Sequence, residues 1–159
     1  MGASDVGITG YESCAELEAN TALREKLESI RLKAGHLMNL GDVSSTTVPK
    51  LTMVASPQEG GHISTRTFIP HRCHEAIGVL GAVSVATAAL MPGSPANDSL
   101  VQPDGGSVRL EHPTGFFDAV VDVATGTDGL VEVRRAGIVR TARKLMDGFV
   151  FPRPQGDAG

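Results

Sequence analysis

The residues best equipped for chemistry stand together at His71-Arg72-Cys73-His74-Glu75, just ahead of an uncharged run from Ala76 to Met91. An arginine forks onto a carboxylate, a histidine can hydrogen-bond it, and a thiol at a helix start is acidified by the helix dipole. If the apolar run is a helix, its free N–H groups and positive dipole end favour an anion, a carboxylate or a phosphate. The expectation is a small-anion pocket bound by Arg72 and His71, with His74 hydrogen-bonding the ligand and Cys73 as a low-pKa thiol. The same residues also suit plain capping of a helix end. Side chains adjacent in sequence rarely converge on one ion, so His71, Cys73, His74 and His112 are not read as a metal site.

A second candidate is Glu111-His112-Pro113-Thr114-Gly115. Pro113 holds His112 extended, Thr114 offers a hydroxyl, and Gly115 lets backbone approach a ligand. Arg140, Thr141, Arg143 and Lys144 form a third, with Arg140 a possible ligand contact; Lys50, alone at a strand start, is read as facing water. The chain has no phosphate-binding loop of the Gly-rich, lysine-ending kind, no G-x-S-x-G and no H-E-x-x-H.

These groups need elements to hold them. The uncharged run predicts a central helix over about 74–91, buried on every side and wrapped by strands. Ser13 with Glu16 is a capping-box pattern opening a short helix to Glu18 or Asn20. Asn20 or Thr21 caps a second, whose apolar face is Leu23, Leu27, Ile30, Ala34, Leu37 and Met38, with Arg31 among the residues elsewhere around it, ending near Gly41. Lys50–Ser56 and His62–Ile69 read as a hairpin, and Pro92–Gly106 as a surface excursion. Ser107–Glu111, Phe116–Ala124 and Leu130–Arg143 read as an antiparallel meander joined by HPTG and by Thr125–Gly129. The sum is an α+β fold: an antiparallel sheet around one buried helix, with two outer helices near the N-terminus.

The chain has 159 residues, enough for one domain with a real core. A formal net charge of -4 gives no electrostatic footprint for nucleic acid. The two cysteines, Cys14 and Cys73, make no disulfide framework, and the N-terminus has no signal-peptide pattern, so a cytoplasmic location is expected. The apolar run is too short to cross a membrane.

Several stretches together resemble one family: RTFIPHRCHEAIGVLGAVSVATAALM from Arg66, VPKLTMVASP, LEHPTGFFDAVVDV and IVRTARKLMDGFVF. In order and spacing they are similar to the C-terminal half of PrpF-type proteins, which include 4-oxalomesaconate tautomerases and methylaconitate isomerases of the diaminopimelate-epimerase-like superfamily. The resemblance implies two similar halves, each a barrel-like sheet around an apolar helix, with a cleft between the helix N-termini. It implies a cofactor-independent allylic proton shift on a small unsaturated di- or tricarboxylate. Carried over by residue, Arg72 and His74 bind carboxylate and stabilise an enolate-like intermediate, His112, Thr114 and Gly115 line the cleft, and Cys73 is similar to the superfamily's cysteine at this helix start.

The family's main acid and base, a cysteine and a lysine, belong to an N-terminal half with no counterpart here. Residues 1–151 are therefore expected to be a single C-terminal-type domain, followed by a disordered tail over 152–159. Such a domain needs an N-terminal half-domain or a second copy as partner, and Phe149–Phe151 is a strand expected to lack its cover. The alternative implied is a non-catalytic fragment that binds carboxylates or a protein.

Overall fold

Ser13 opens the first helix in the way its spacing to Glu16 requires. The computed structural model, which describes residues 1–126, 131–149 and 151, has helix α1 at Cys14–Ala19. Glu16 N donates to Ser13 Oγ at 3.2 Å and Ser13 N donates to Glu16 Oε2 at 2.8 Å, a reciprocal cap worth about 1 kcal/mol. Asn20 closes α1 and caps α2, Thr21–Leu37, by accepting from Leu23 N at 3.0 Å. A 3-10 turn at Ser4–Val6 precedes both.

On α2 the buried face includes Leu23, Leu27 and Arg31, at steps of four. Arg31 was expected on the polar side; it is only 1% exposed. Its guanidinium pairs with Glu28 at 2.7 and 2.8 Å and donates through Nη1 to the carbonyls of Val43, Thr46 and Val48. The loop after α2 thus folds back onto the helix and surrounds the arginine.

Strands β1 (Leu51–Ala55) and β2 (Ile63–Phe68) form the expected antiparallel hairpin, in register from Leu51↔Phe68 to Ala55↔Ser64. The chain continues through β3 (Cys73–His74), α3 (Val79–Leu90), α4 (Pro95–Asp98), β4 (Ser107–His112), β5 (Gly115–Thr125) and β6 (Val131–Ile138). The sheet order is β1-β2-β4-β5-β6, and β3 lies off this path, paired with the far end of β2. The purely antiparallel expectation fails at one pair: β2 and β4 run parallel, Ile63↔Leu110 and Ser64↔Glu111. Parallel neighbours need a crossover, and the segment carrying α3 supplies it.

The expected central helix needs two corrections. It begins at Val79 behind Gly78, a cap without a side-chain hydrogen bond, whereas Cys73–His74 is strand and pairs with Phe68 and Thr67. Nor is it buried all round: Ala82, Val85, Ala86 and Ala89 pack against the sheet, while Leu80 is 84% exposed. The small alanines allow close approach to the sheet, and the opposite apolar face is left uncovered.

The excursion over Pro92–Gly106 contains the short α4, capped by Ser94 with Pro95 at its first turn. The last expected strand stops at Ile138, and residues 139–149 form no helix or strand. Leu130, residues 127–129 of the expected turn, Val150 and the expected tail over 152–159 lie outside the described residues. Among the described residues no helix is long and apolar enough to cross a membrane.

Two apolar clusters lie on the two faces of the sheet. One packs Ile63 and Leu110 against α3; the other packs Met53, Phe68 and Cys73 against Leu17, Leu23 and Leu27 of α1 and α2. Strand β2 has neighbours on both edges and cover on both faces, so all six of its residues are buried, four of them polar. Ser64 Oγ donates to Gly10 O at 3.1 Å, Thr65 Oγ to Glu111 O at 2.8 Å, and Thr67 Oγ lies 3.0 Å from Thr52 Oγ, as buried polar groups require.

Arg31→Met should lower the unfolding free energy by roughly 3 kcal/mol, because it leaves Glu28 and three carbonyls without their donor. The solvent-facing Arg24→Ala should change it by less than about 0.5 kcal/mol. Urea titration of the two variants checks the contrast.

Candidate functional site

Because β2 and β4 are parallel, their C-terminal ends lie at the same end of the sheet. The HPTG turn joining β4 to β5 is there, as is β3. Four sequence-predicted groups meet at this end: His74, His112, Thr114 and Gly115. Thr114 Oγ donates to Glu75 O at 2.8 Å and so ties the turn to the residue after β3. Gly115 sits at φ 143°, where a side chain would be strained.

The two histidines are oriented by backbone donors. Ala76 N donates to His74 Nδ1 at 3.0 Å and Thr114 N to His112 Nδ1 at 3.3 Å, so Nε2 is the protonated nitrogen of each neutral ring. Burial pushes the His112 pKa below its ordinary value, and the positive charge of Arg66 pushes the same way against the carbonyls of Phe116 and Glu75. Neutral imidazole is the favoured form.

Next to His112, Glu111 is 1% exposed. Burial opposes its ionisation, yet four donors win and hold its carboxyl below the usual range. They are the Tyr11 hydroxyl, in a short hydrogen bond, and the N–H groups of Gln58, Glu59 and Gly61 at 3.1, 2.9 and 2.7 Å. A Cβ on Gly61 would stand 2.6 Å from Glu111 Cγ, so only glycine lets the hairpin turn close on the carboxylate.

The other predicted residues lie elsewhere. Cys73 pairs with Phe68 on the α1 face of the sheet, 7% exposed, and its N–H donates to Glu18 Oε1 at 2.9 Å. The low-pKa thiol expected of it is overturned: burial, helped by the Cys14 thiol beside it, pushes its pKa up to about 12. His71 and Arg72 are exposed at the tip of the β2–β3 hairpin, where Ile69 N donates to Arg72 O at 2.9 Å. His71 lies 3.8 Å from Glu28 on α2, away from His112, and Arg72 makes no ion pair among the described residues. Arg140 lies at the right end of the sheet, its guanidinium 4.8 Å over the ring of Phe117. The anion pocket expected of His71, Arg72 and Cys73 is therefore not assembled by them.

Two clefts open near this end of the sheet. A groove of about 550 Å³ runs beside the start of α3, bordered by Lys50, Thr67, Ile77, Gly78, Leu80 and Gly81. Lys50 is exposed, as read from sequence, and borders the same groove. A second cleft of about 480 Å³ opens on the α1 side, where Tyr11, Ser13, Arg66, Pro113 and Thr114 contribute to its walls. Among the described residues no three His, Cys, Asp or Glu side chains are placed to hold a metal.

The model of the family described as PrpF protein matches residues 1–153. The chain is 55% identical over 153 residues to the (4E)-oxalomesaconate Delta-isomerase of Novosphingobium sp. (strain KA1), an alignment covering 95% of this chain and 42% of that protein. It is 50% identical over 151 residues to the 4-oxalomesaconate tautomerase of Pseudomonas putida, covering 93% and 40%. The crystal structure of methylitaconate-delta-isomerase superposes with a TM-score of 0.77 at 27% identity, covering 94% of this chain and 43% of that one. The chain thus spans well under half the length of the proteins it matches.

The His112 geometry makes a pH prediction. Its proton NMR titration should show a midpoint below about 6.5, the ordinary histidine value. With the native pKa below the unfolded one, the unfolded chain binds more protons between the two values, so stability falls as pH drops below the unfolded value and through the native one. A midpoint at or above the ordinary value contradicts the packing described.

Proposed function

The chain belongs to the PrpF protein family, and from that premise we propose that it is the C-terminal-type domain of an isomerase that shifts an allylic proton in a small unsaturated di- or tricarboxylate, of the 4-oxalomesaconate type. The reading is carried by the identity to the Novosphingobium protein across nearly the whole chain. It takes the fold as one half of a diaminopimelate-epimerase-like pair, its sheet closing round α3 when a complementary half is present.

In this reading the substrate lies at the sheet end beside the start of α3. The first-turn N–H groups behind Gly78, with Lys50 at the same groove, hold a carboxylate. A base removes a proton from the carbon next to the unsaturated acid, and the electron pair spreads into the conjugated carboxyl or keto oxygen. The Nε2 atoms of His74 and His112 hydrogen-bond that oxygen, and a proton returns at the far carbon of the shifted double bond. No cofactor is needed, because the conjugated system itself stores the charge.

A partner is part of the proposal, either an N-terminal half-domain carrying the proton-abstracting group or a second copy. Its support is exposed apolar surface: Leu80 on α3, which borders the groove, and Leu145, Met146, Phe149 and Phe151 on the final segment, all more than four-fifths exposed. That much apolar surface is unusual on a chain that works alone. The free thiols Cys14 and Cys73 suit a reducing cytoplasm.

The test joins this chain, in one polypeptide, to the part of the Pseudomonas putida tautomerase that it does not match. Isomerisation of 4-oxalomesaconate, followed by absorbance, should appear in the joined protein, and His74→Ala should lower kcat by about a hundredfold or more. A folded joined protein without activity contradicts the reading.

A further inference from the structure

Cys14 and Cys73 are the only two cysteines of the chain, and the proposed proton shift uses neither. They stand far apart in sequence and side by side in the fold. Cys14 opens α1 and Cys73 lies on β3. Glu18, one turn along α1 from Cys14 and on the same face, accepts the Cys73 N–H at 2.9 Å, so α1 is laid against β3. Both cysteines pack into the apolar cluster on this face of the sheet, and the Cys14 thiol is within hydrogen-bonding reach of the Cys73 thiol.

The two differ in access. Cys73 is buried, whereas Cys14 is half-buried and borders the cleft on the α1 side. A small reagent therefore meets Cys14 first. Burial, and after it the Cys14 thiol, keep Cys73 protonated and inert to reagents from outside. With no third thiol in the chain, a sulfur bonded to Cys14 has one neighbour that attacks it.

We propose that Cys14 and Cys73 form a reversible oxidation site: a small-molecule disulfide reacts at Cys14, and Cys73 then closes a protein disulfide that pins β3 to α1. In the first exchange the Cys14 thiolate attacks one sulfur of the reagent, whose S–S bond breaks; one small thiol leaves and a mixed disulfide remains. In the second, Cys73 gives up its proton and attacks Cys14 Sγ, expelling the other small thiol. Two protein thiols are oxidised to one disulfide, the reagent is reduced to two thiols, and the two protons end on them.

A disulfide needs the two Cα atoms within about 7 Å, and the Glu18–Cys73 hydrogen bond already holds the two elements together. His74 follows Cys73 on the same two-residue strand, so the bond fastens the segment that carries it. None of this depends on the isomerase reading.

The experiment incubates the full chain, native and at neutral pH, with oxidised glutathione, quenches with acid and maps the cysteine bonds by mass spectrometry. The expected product is a monomer lighter by two hydrogens, its Cys14 and Cys73 peptides joined, preceded by glutathione on Cys14 and reversed by dithiothreitol. Its urea midpoint should exceed that of the reduced chain, because a cross-link that fits the native structure restricts the unfolded one. In Cys73→Ser the glutathione should stay on Cys14; in Cys14→Ser, Cys73 should react at least about tenfold more slowly than Cys14 does in the wild type. Glutathione that remains on Cys14 of the wild type, first reaction at Cys73, a disulfide between two chains, or an oxidised chain with a lower urea midpoint overturns the inference. Should a variant not fold, the wild-type map decides alone.

Discussion

One buried carboxylate holds three parts of this protein to one another. Glu111 sits on β4 and gathers a hydroxyl from the N-terminal segment and three N–H groups from the β1–β2 turn. A charge in that position is tolerable only when every lone pair is occupied, and then it rigidifies what surrounds it. The next residue is His112, and the HPTG turn follows, so the network fixes the point from which the turn departs. Thr114 then reaches Glu75 and passes that placement on to the end of β3.

From this frame, strand alternation sorts the chemistry. Phe68 and Cys73 pair on the face toward α1 and α2, whereas Thr67 and His74 pair on the face toward α3. The thiol is consequently a core group, and the imidazole one step along the strand is exposed at the start of the helix side. The parallel β2–β4 pair matters for the same reason. It brings the C-terminal ends of two strands to one place, the common position of ligand sites in sheets with helical crossovers.

Much of the scaffold was legible because its signals are local. Ser13 with Glu16, the Asn20 cap and the β-branched hairpin strands each declare themselves within a few residues. The start of α3 did not, because Gly78 caps it without a side chain and the preceding residues gain their strand character from a partner five or more positions away, on β2. Arg31 carried a usable signal: it continues the Leu23–Leu27 step of four on the buried face. Lys50 and Arg66 carried none, since what makes each notable is the cleft it borders. The HPTG turn does join two antiparallel strands, as its sequence suggests; the pocket assigned to His71, Arg72 and Cys73 is not assembled because a two-residue strand, not a helix, turns those side chains apart.

The claim that a buried, ionised Glu111 knits this end of the sheet is tested most directly by urea unfolding of wild type and Glu111→Gln across pH. A carboxyl whose native pKa is depressed stabilises above its unfolded pKa, and that stability is lost as pH falls through the native value. The two proteins should therefore differ by roughly 3 kcal/mol at neutral pH, narrowing in acid as Glu111 protonates. A difference below about 1 kcal/mol, or one that does not change with pH, would contradict the account.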